Sequence, residues 1–325
     1  MVDLVGDIGG THARFALCDG EPQKRPRLFD PTVLTCADYP SLAAAIRSYL
    51  NGLPQARKPR RAALAIAGPV TGDKIIMTNH PWTFSLEDVR QTLGLETLCA
   101  LNDYKSVSLA LPYLMPSDVA PIGDFDPVTM HNTMRAMGII APGTGLGIGG
   151  LLRDGSTALA LSSEGGHVGF APNDKTELDI ARILLSRFGR ISNERLLSGP
   201  GLRNLYEALC VMRGCEAISG DARDIAARAI AGTDAVCHET LERFCAILGS
   251  AAGDLALTLF ADVIFIGGGI VPQMIDFLRA SSFRKRFTNK GRFADRMAKI
   301  PTLAITYRHT GLLGAAVHLL RTPAT

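Results

Sequence analysis

Four short stretches of this chain carry side chains that could bind and activate hydroxyl groups. Asn102 and Asp103 stand together where an apolar run, 98–101, stops. A carboxylate at the end of a strand can accept a proton from a hydroxyl, and the neighbouring amide offers both a donor and an acceptor. Asn and Asp are also favoured helix N-caps, so the pair by itself allows either reading. Further on, Glu164 and His167 flank Gly165 and Gly166. With no bulk between them, both side chains can turn toward one point. Glutamate can accept from two adjacent hydroxyls, and neutral histidine donates from one nitrogen and accepts on the other. A zinc site is a poor match, since no cysteine follows until Cys210 and no second histidine is near; a hydrogen-bonded loop histidine remains the plain alternative. Glu194 precedes Ser198-Gly-Pro-Gly201, and locally it reads as a solvated glutamate.

The chain also repeats one glycine-rich device. The apolar run 137–141 meets Pro142-Gly-Thr-Gly145 and a second apolar run, 146–152, leaves it. Near the start, 2–8 leads into Gly9-Gly-Thr-His12 and out through 13–18. Each copy reads as strand, Gly-Thr turn, strand. Backbone amides in such a loop can converge on an anion, and Thr11 and Thr144 each add a hydroxyl. A tight hairpin turn alone also selects glycine, but two copies suggest a polyphosphate held from both sides. Neither loop has the Gly-Lys-Ser/Thr of a Walker motif, and neither opens into a helix as a dinucleotide fingerprint does. A third glycine turn, Gly267-Gly-Gly269, follows the strand 262–266; it either lets a flat ring or phosphate approach closely or is only a strand–helix turn.

The elements that must position these groups alternate in type. Helical periodicity covers 39–50, a buried strand covers 61–67, and a short apolar run covers 74–77. Ser85-Leu-Glu-Asp88 reads as a capping box that opens a helix to residue 93. Such alternation indicates an α/β domain with parallel pairing. Prolines 112, 116, 121 and 127 mark a crossing between domains at 112–133. Strand 157–161 joins the second hairpin, and helices are expected at 177–188, 201–212, 222–231 and 235–260. Pro272 begins another helix, 301–307 is a last strand, and 311–320 a last helix.

Bulk properties narrow the classes. The 325 residues, 47% hydrophobic and 20% charged, can bury a sizeable core in two domains. Net charge is +3 from 34 basic and 31 acidic residues mixed along the chain. No nucleic-acid partner is expected; the densest basic cluster, Arg57 to Arg61, leads into a strand and reads as a solvated loop. No apolar run reaches spanning length and no signal peptide is evident, so no membrane association is expected. Seven scattered cysteines without a C-x-x-C pair fit reduced thiols in the cytoplasm.

Taken together, these segments resemble the bacterial glucokinase family, ATP-dependent sugar kinases of the superfamily that includes actin, heat-shock ATPases and hexokinase. The resemblance runs nearly end to end. It rests on Gly6-Asp-Ile-Gly-Gly-Thr-His-Ala-Arg14, Gly68-Pro-Val-Thr-Gly-Asp73, Met77-Thr-Asn-His80, Leu101-Asn-Asp103, Gly143-Thr-Gly-Leu-Gly147, Glu164-Gly-Gly-His-Val168, Glu194-Arg-Leu-Leu-Ser-Gly-Pro-Gly201 and Gly267-Gly-Gly-Ile-Val-Pro272. The cysteine-rich zinc motif that follows the Glu-Gly-His segment in related kinases and repressors is missing, which points to the zinc-free branch. His12, Pro142 and Gly169 depart from common family residues without removing a functional group.

The resemblance implies a two-domain actin-like, ribonuclease H-like α/β fold. A small α/β domain (1–113 with 308–325) and a larger one (114–307) would flank a cleft. It implies that Gly9, Gly10, Thr11 and Gly143, Thr144, Gly145 are phosphate loops and that Gly267, Gly268 and Gly269 form the adenosine-side turn. Asp7 would organise Mg2+ near the transferred phosphate. Asn102, Glu164, His167 and Glu194 would contact sugar hydroxyls, with Asp103 as catalytic base. The implied reaction is transfer of the γ-phosphate of ATP to the 6-hydroxyl of D-glucose, in a cytoplasmic homodimer. A kinase for another hexose such as mannose is the alternative. A sugar-sensing regulator is disfavoured, because Asp7 and Asp103 are both present and the first strand begins at residue 2 or 3.

Overall fold

The computed structural model describes residues 2–53, 58–77, 80–126, 134–155 and 157–322. Arg57, Pro127 and the Thr78-Asn79 part of the 77–80 motif lie outside them.

In chain order the first elements are β1 (Asp3–Ile8), β2 (His12–Asp19), β3 (Arg27–Thr35), α1 (Leu42–Asn51), β4 (Arg61–Ile66), β5 (Lys74–Ile76), β6 (Thr83–Ser85), α2 (Leu86–Leu93), β7 (Thr97–Asn102) and α3 (Asp103–Ala110). There follow β8 (Val119–Pro121), β9 (Ala136–Pro142), β10 (Leu146–Asp154), β11 (Thr157–Leu161), α4 (Lys175–Phe188), α5 (Gly199–Arg213), α6 (Ala222–Ile230) and α7 (Ala235–Leu259). The last are β12 (Val263–Ile266), α8 (Ile275–Ala280), α9 (Phe283–Thr288), α10 (Ala294–Ala298), β13 (Thr302–Ile305) and α11 (Thr310–Arg321).

The chain forms two compact units, Met1–Leu114 with Leu151–Ser162 and Tyr307–Thr325, and Met115–Gly150 with Ser163–Thr306. The division implied by the resemblance placed 151–162 in the second unit; here it groups with the first, where β11 packs on α3.

In the first unit a five-stranded sheet runs β3-β2-β1-β4-β7. β1, β2 and β3 pair antiparallel, whereas β1–β4 and β4–β7 pair parallel. Strand residues alternate between faces, and β1 shows the consequence. Leu4 and Ile8 enter a core with Phe15, Ile46 and Leu64, while Val5 enters one with Leu312, Ala315 and Leu319 of α11. Asp7, two residues from Val5, therefore faces the α11 side. Ser85 caps α2 by accepting from the Asp88 amide at 3.1 Å, which is the N-cap half of the box its sequence signature predicts; among the described residues no reciprocal bond returns from the Asp88 side chain. β3 escaped sequence reading because it is a mostly exposed strand containing Pro31, which leaves no apolar alternation to detect.

The second sheet runs β11-β10-β9-β12-β13-β8, with β9–β12 and β12–β13 parallel. The main core of the second unit surrounds α7, whose Phe244, Cys245 and Leu248 are fully buried beside Leu205 and Leu209 of α5. Glu177 is buried as well, and its charge is matched by Arg243 and by Arg286 at 2.8 Å. The boundary between the units at Leu114 and Met115 falls inside the proline-rich crossing at 112–133. The proline-rich crossing contains the strand β8, whose Pro121 is tolerated because β8 lies at the sheet edge. Pro272 opens a 3-10 turn, Val271–Gln273, and the helix α8 begins only at Ile275.

Candidate active site

Each unit carries part of the candidate set. In the first, the β1–β2 register pairs Asp7 with Arg14, and Arg14 Nη1 donates to Asp7 Oδ2 at 3.4 Å. Burial pushes the Asp7 carboxyl above its ordinary value, while Arg14 and then His309 pull it back. His309, just before α11, is held below its usual value by burial and by the charges of Arg14 and Arg308. Arg14 was not singled out from sequence, although a turn centred on 9–12 already makes it the cross-strand partner of Asp7. His309 had no such signal.

Between these strands the Gly9 amide donates to the His12 carbonyl at 3.0 Å, and Cys36 donates to the Thr11 carbonyl at 2.9 Å. Among the described residues, the amides of Gly10 and Thr11 meet no protein acceptor. The second loop echoes this arrangement: Gly143 donates to Gly145 O at 2.8 Å, and the amides of Thr144 and Gly145 meet no protein acceptor among the described residues. Each loop thus closes on itself while two successive amides stay available, which is the arrangement that receives an anion.

At the end of β7, Asn102 is the N-cap of α3. Its side-chain oxygen accepts from the Lys105 amide at 3.1 Å, and its Nδ2 donates to Gly68 O and to Asp103 Oδ1, at 3.1 and 3.0 Å. Asp103 opens the helix, and its Oδ1 also accepts from the Tyr104 amide at 2.9 Å. The cap reading thereby holds for Asn102, and Asp103 is a carboxylate oriented by that cap.

The second unit brings His167 and Glu194 together. Phe170 donates to Ile191 O and Asn193 to Val168 O, so 168–170 lies along 191–193. His167 Nδ1 comes within 3.8 Å of Glu194 Oε1, near but beyond hydrogen-bond length. Glu194 is not the solvated glutamate of the local reading, because its Oε2 accepts from the Leu146 amide at 2.9 Å. Glu164 is exposed before the 3-10 turn Gly165–His167, and among the described residues its carboxylate meets no partner.

A pocket of about 750 Å³ opens beside the second loop. Gly143, Thr144, Gly199 and Gly269 supply backbone to its wall, and Ala226 and Met274 supply apolar surface. Gly268 has a left-handed φ of +87°, and a Cβ there would lie 2.1 Å from Pro142 O, so the third glycine turn packs directly on the second loop. The α6 contribution to this pocket was missed in sequence; its small residues look like ordinary helix filling until the fold puts them opposite Gly269. Among the described residues no group of three or more His, Cys, Asp or Glu could hold a metal.

Comparison with known proteins is consistent across the whole chain. The family model described as Glucokinase matches residues 4–322. A glucokinase of Aromatoleum aromaticum is 44% identical over 319 residues, covering 97% of this chain and 94% of the relative. One of Chromobacterium violaceum is also 44% identical, covering 97% and 88%. The crystal structure of a glucokinase from an Antarctic psychrotroph superposes with a TM-score of 0.88 at 35% identity, covering 99% of both chains. Its likeness assigns the two-domain actin-like fold of the sugar kinases. With a family match spanning nearly all of its residues, the chain belongs to the glucokinase family.

Proposed function

We infer that this chain is an ATP-dependent glucose kinase, forming glucose 6-phosphate and ADP. The observation that carries the reading is the end-to-end match to glucokinases at 44% identity. The paired loops support it, each offering two adjacent amides of the kind that cradle phosphates.

The roles follow from the chemistry of each group. Gly9, Gly10 and Thr11, with Gly143, Thr144 and Gly145, receive the phosphates. The pocket beside Gly267, Gly268 and Gly269 receives the adenosine; its size and apolar lining suit a flat ring. Asn102, Glu164, His167 and Glu194 bind sugar hydroxyls. Asp103 accepts the proton of the 6-hydroxyl as that oxygen attacks phosphorus. Little covalent chemistry falls to the protein in phosphoryl transfer, so positioning and charge neutralisation dominate.

Magnesium fits this donor set in one way. A hydrated Mg2+ needs only one or two carboxylates besides phosphate oxygens, and Asp7 would be its protein partner, directly or through water. The absent Cβ of Gly311 leaves room around that carboxylate that any other residue would fill. When bound, the ion would neutralise charge on the transferred phosphate.

A cytoplasmic homodimer is part of the same reading. Its support is the family resemblance alone; separately, no described helix is long and apolar enough to cross a membrane. A coupled kinase assay over a panel of hexoses and phosphoryl donors tests the function. Turnover of mannose above glucose would shift the reading to another hexose kinase, and no turnover with any sugar would favour a non-catalytic sensor.

A further inference from the structure

Glu194 reaches two places with one carboxylate. Its Oε2 accepts from the amide of Leu146, the residue that closes the second loop, at 2.9 Å. Its Oε1 points toward His167. Gly145 is pressed against the same group, since a Cβ there would stand 2.5 Å from Oε2. The backbone behind Glu194 is fixed too. Ser198 Oγ donates to Glu194 O at 2.8 Å and accepts from the Gly201 amide at 3.0 Å, and Gly199 donates to Gly143 O at 2.8 Å. The loop is therefore docked on 194–199 at both its ends.

We propose that Glu194 is a positioning residue for the second phosphate loop as well as a sugar contact, so that glucose and nucleotide binding are coupled through its carboxylate. The inference rests on the reading of 143–145 as a phosphate loop and of Glu194 as a sugar contact. Holding the Leu146 amide on a charged acceptor fixes the peptide that follows Gly145. The amides of Thr144 and Gly145 are then presented in one orientation before nucleotide arrives. Sugar hydroxyls that order Oε1 also order Oε2, because the two oxygens belong to one rigid plane. Coupling of this kind must be reciprocal.

The test is calorimetry with a non-hydrolysable ATP analogue, with and without glucose, on the full chain. Glu194→Ala should weaken analogue binding about tenfold even without sugar, the size expected for losing a hydrogen bond to a charged group. It should also remove any effect of glucose on that affinity. Glu194→Gln keeps an acceptor for the Leu146 amide, so it should recover most of the analogue affinity while glucose affinity stays low. Analogue binding by Glu194→Ala equal to wild type, with glucose binding lost, would overturn the inference and leave the sugar-contact reading intact. Wild-type protein that binds no analogue would instead remove the phosphate-loop reading itself, and the inference with it. Should Glu194→Ala not fold, Gly145→Ala carries the same test. The added methyl displaces the carboxylate, so glucose affinity must fall although residue 145 is not a sugar contact; unchanged glucose affinity overturns the coupling.

Discussion

The Cβ that Gly311 lacks would stand 2.8 Å from the carboxyl carbon of Asp7. α11 thus begins against the very group assigned to magnesium, and the same helix covers that face of β1 through Leu312 and Ala315. The contact sets the Asp7 carboxylate in a place that does not favour its charge, since burial raises its pKa.

The sign of the consequence follows from linkage. A carboxyl whose pKa is higher folded than unfolded lowers stability when ionised, and that deficit disappears as pH falls below the unfolded value. Asp7→Asn should therefore melt at or above the wild-type temperature at neutral pH, with the difference closing on acidification. Turnover should drop by about 10- to 100-fold or more, as when a metal-organising group is lost. Thermal denaturation across a pH series, beside kinase assays, reads both; a lower melting temperature at neutral pH would contradict the argument.

Asp103 and Asn102 should separate catalysis from architecture. A positioned general base contributes about 10²- to 10⁴-fold, so Asp103→Asn should lower kcat by that range while glucose affinity changes much less. Asn102→Ala removes a helix cap, which costs about 0.5–2 kcal/mol of stability, and also the sugar contact proposed for it. Asn102→Ser retains a capping oxygen, so its stability should recover while glucose binding stays weak. Near-normal turnover by Asp103→Asn would return that residue to a purely structural role.

Sugar selectivity should follow unpaired polar groups. A sugar that lacks or inverts the hydroxyl facing Glu164, His167 or Glu194 leaves a partner unsatisfied, costing on the order of 1–3 kcal/mol each. Glucose should exceed mannose and N-acetylglucosamine in kcat/KM. Equal turnover of glucose and N-acetylglucosamine would show that these three residues do not line the sugar site.

The pocket beside the second loop gives a steric test. Ala226→Phe would place a ring in the cavity bounded by Gly269 and Met274. KM for ATP should rise about tenfold or more, the scale of a poorly accommodated apolar group, with glucose affinity unchanged. An unaltered KM would place the adenosine elsewhere.

Much of this was legible in the residues themselves. The Gly-Thr turns, the alternating strands and the Ser85 cap announce themselves through local backbone preference, which acts over a few residues and does not depend on what packs outside. Helix 222–231 and strand 157–161 were likewise marked by apolar periodicity, which reports burial without saying against what. The order of the motifs then indicated the family.

Tertiary structure decided what those groups hold. Glu194 reads as a solvated glutamate until the pairing of 168–170 with 191–193 and the docking of 194–199 on the second loop put the Leu146 amide at its carboxylate, 48 residues away in sequence. Asn102 and Asp103 were interchangeable as cap and base until the helix start assigned the cap to one of them. Gly311 gave no signal at all, because the need for glycine there comes from Asp7 at the other end of the chain. Sequence patterns encode the preferences of neighbours along the backbone, whereas close approach, pKa and hydrogen-bond partnership are properties of distant segments brought into contact by burial of the core.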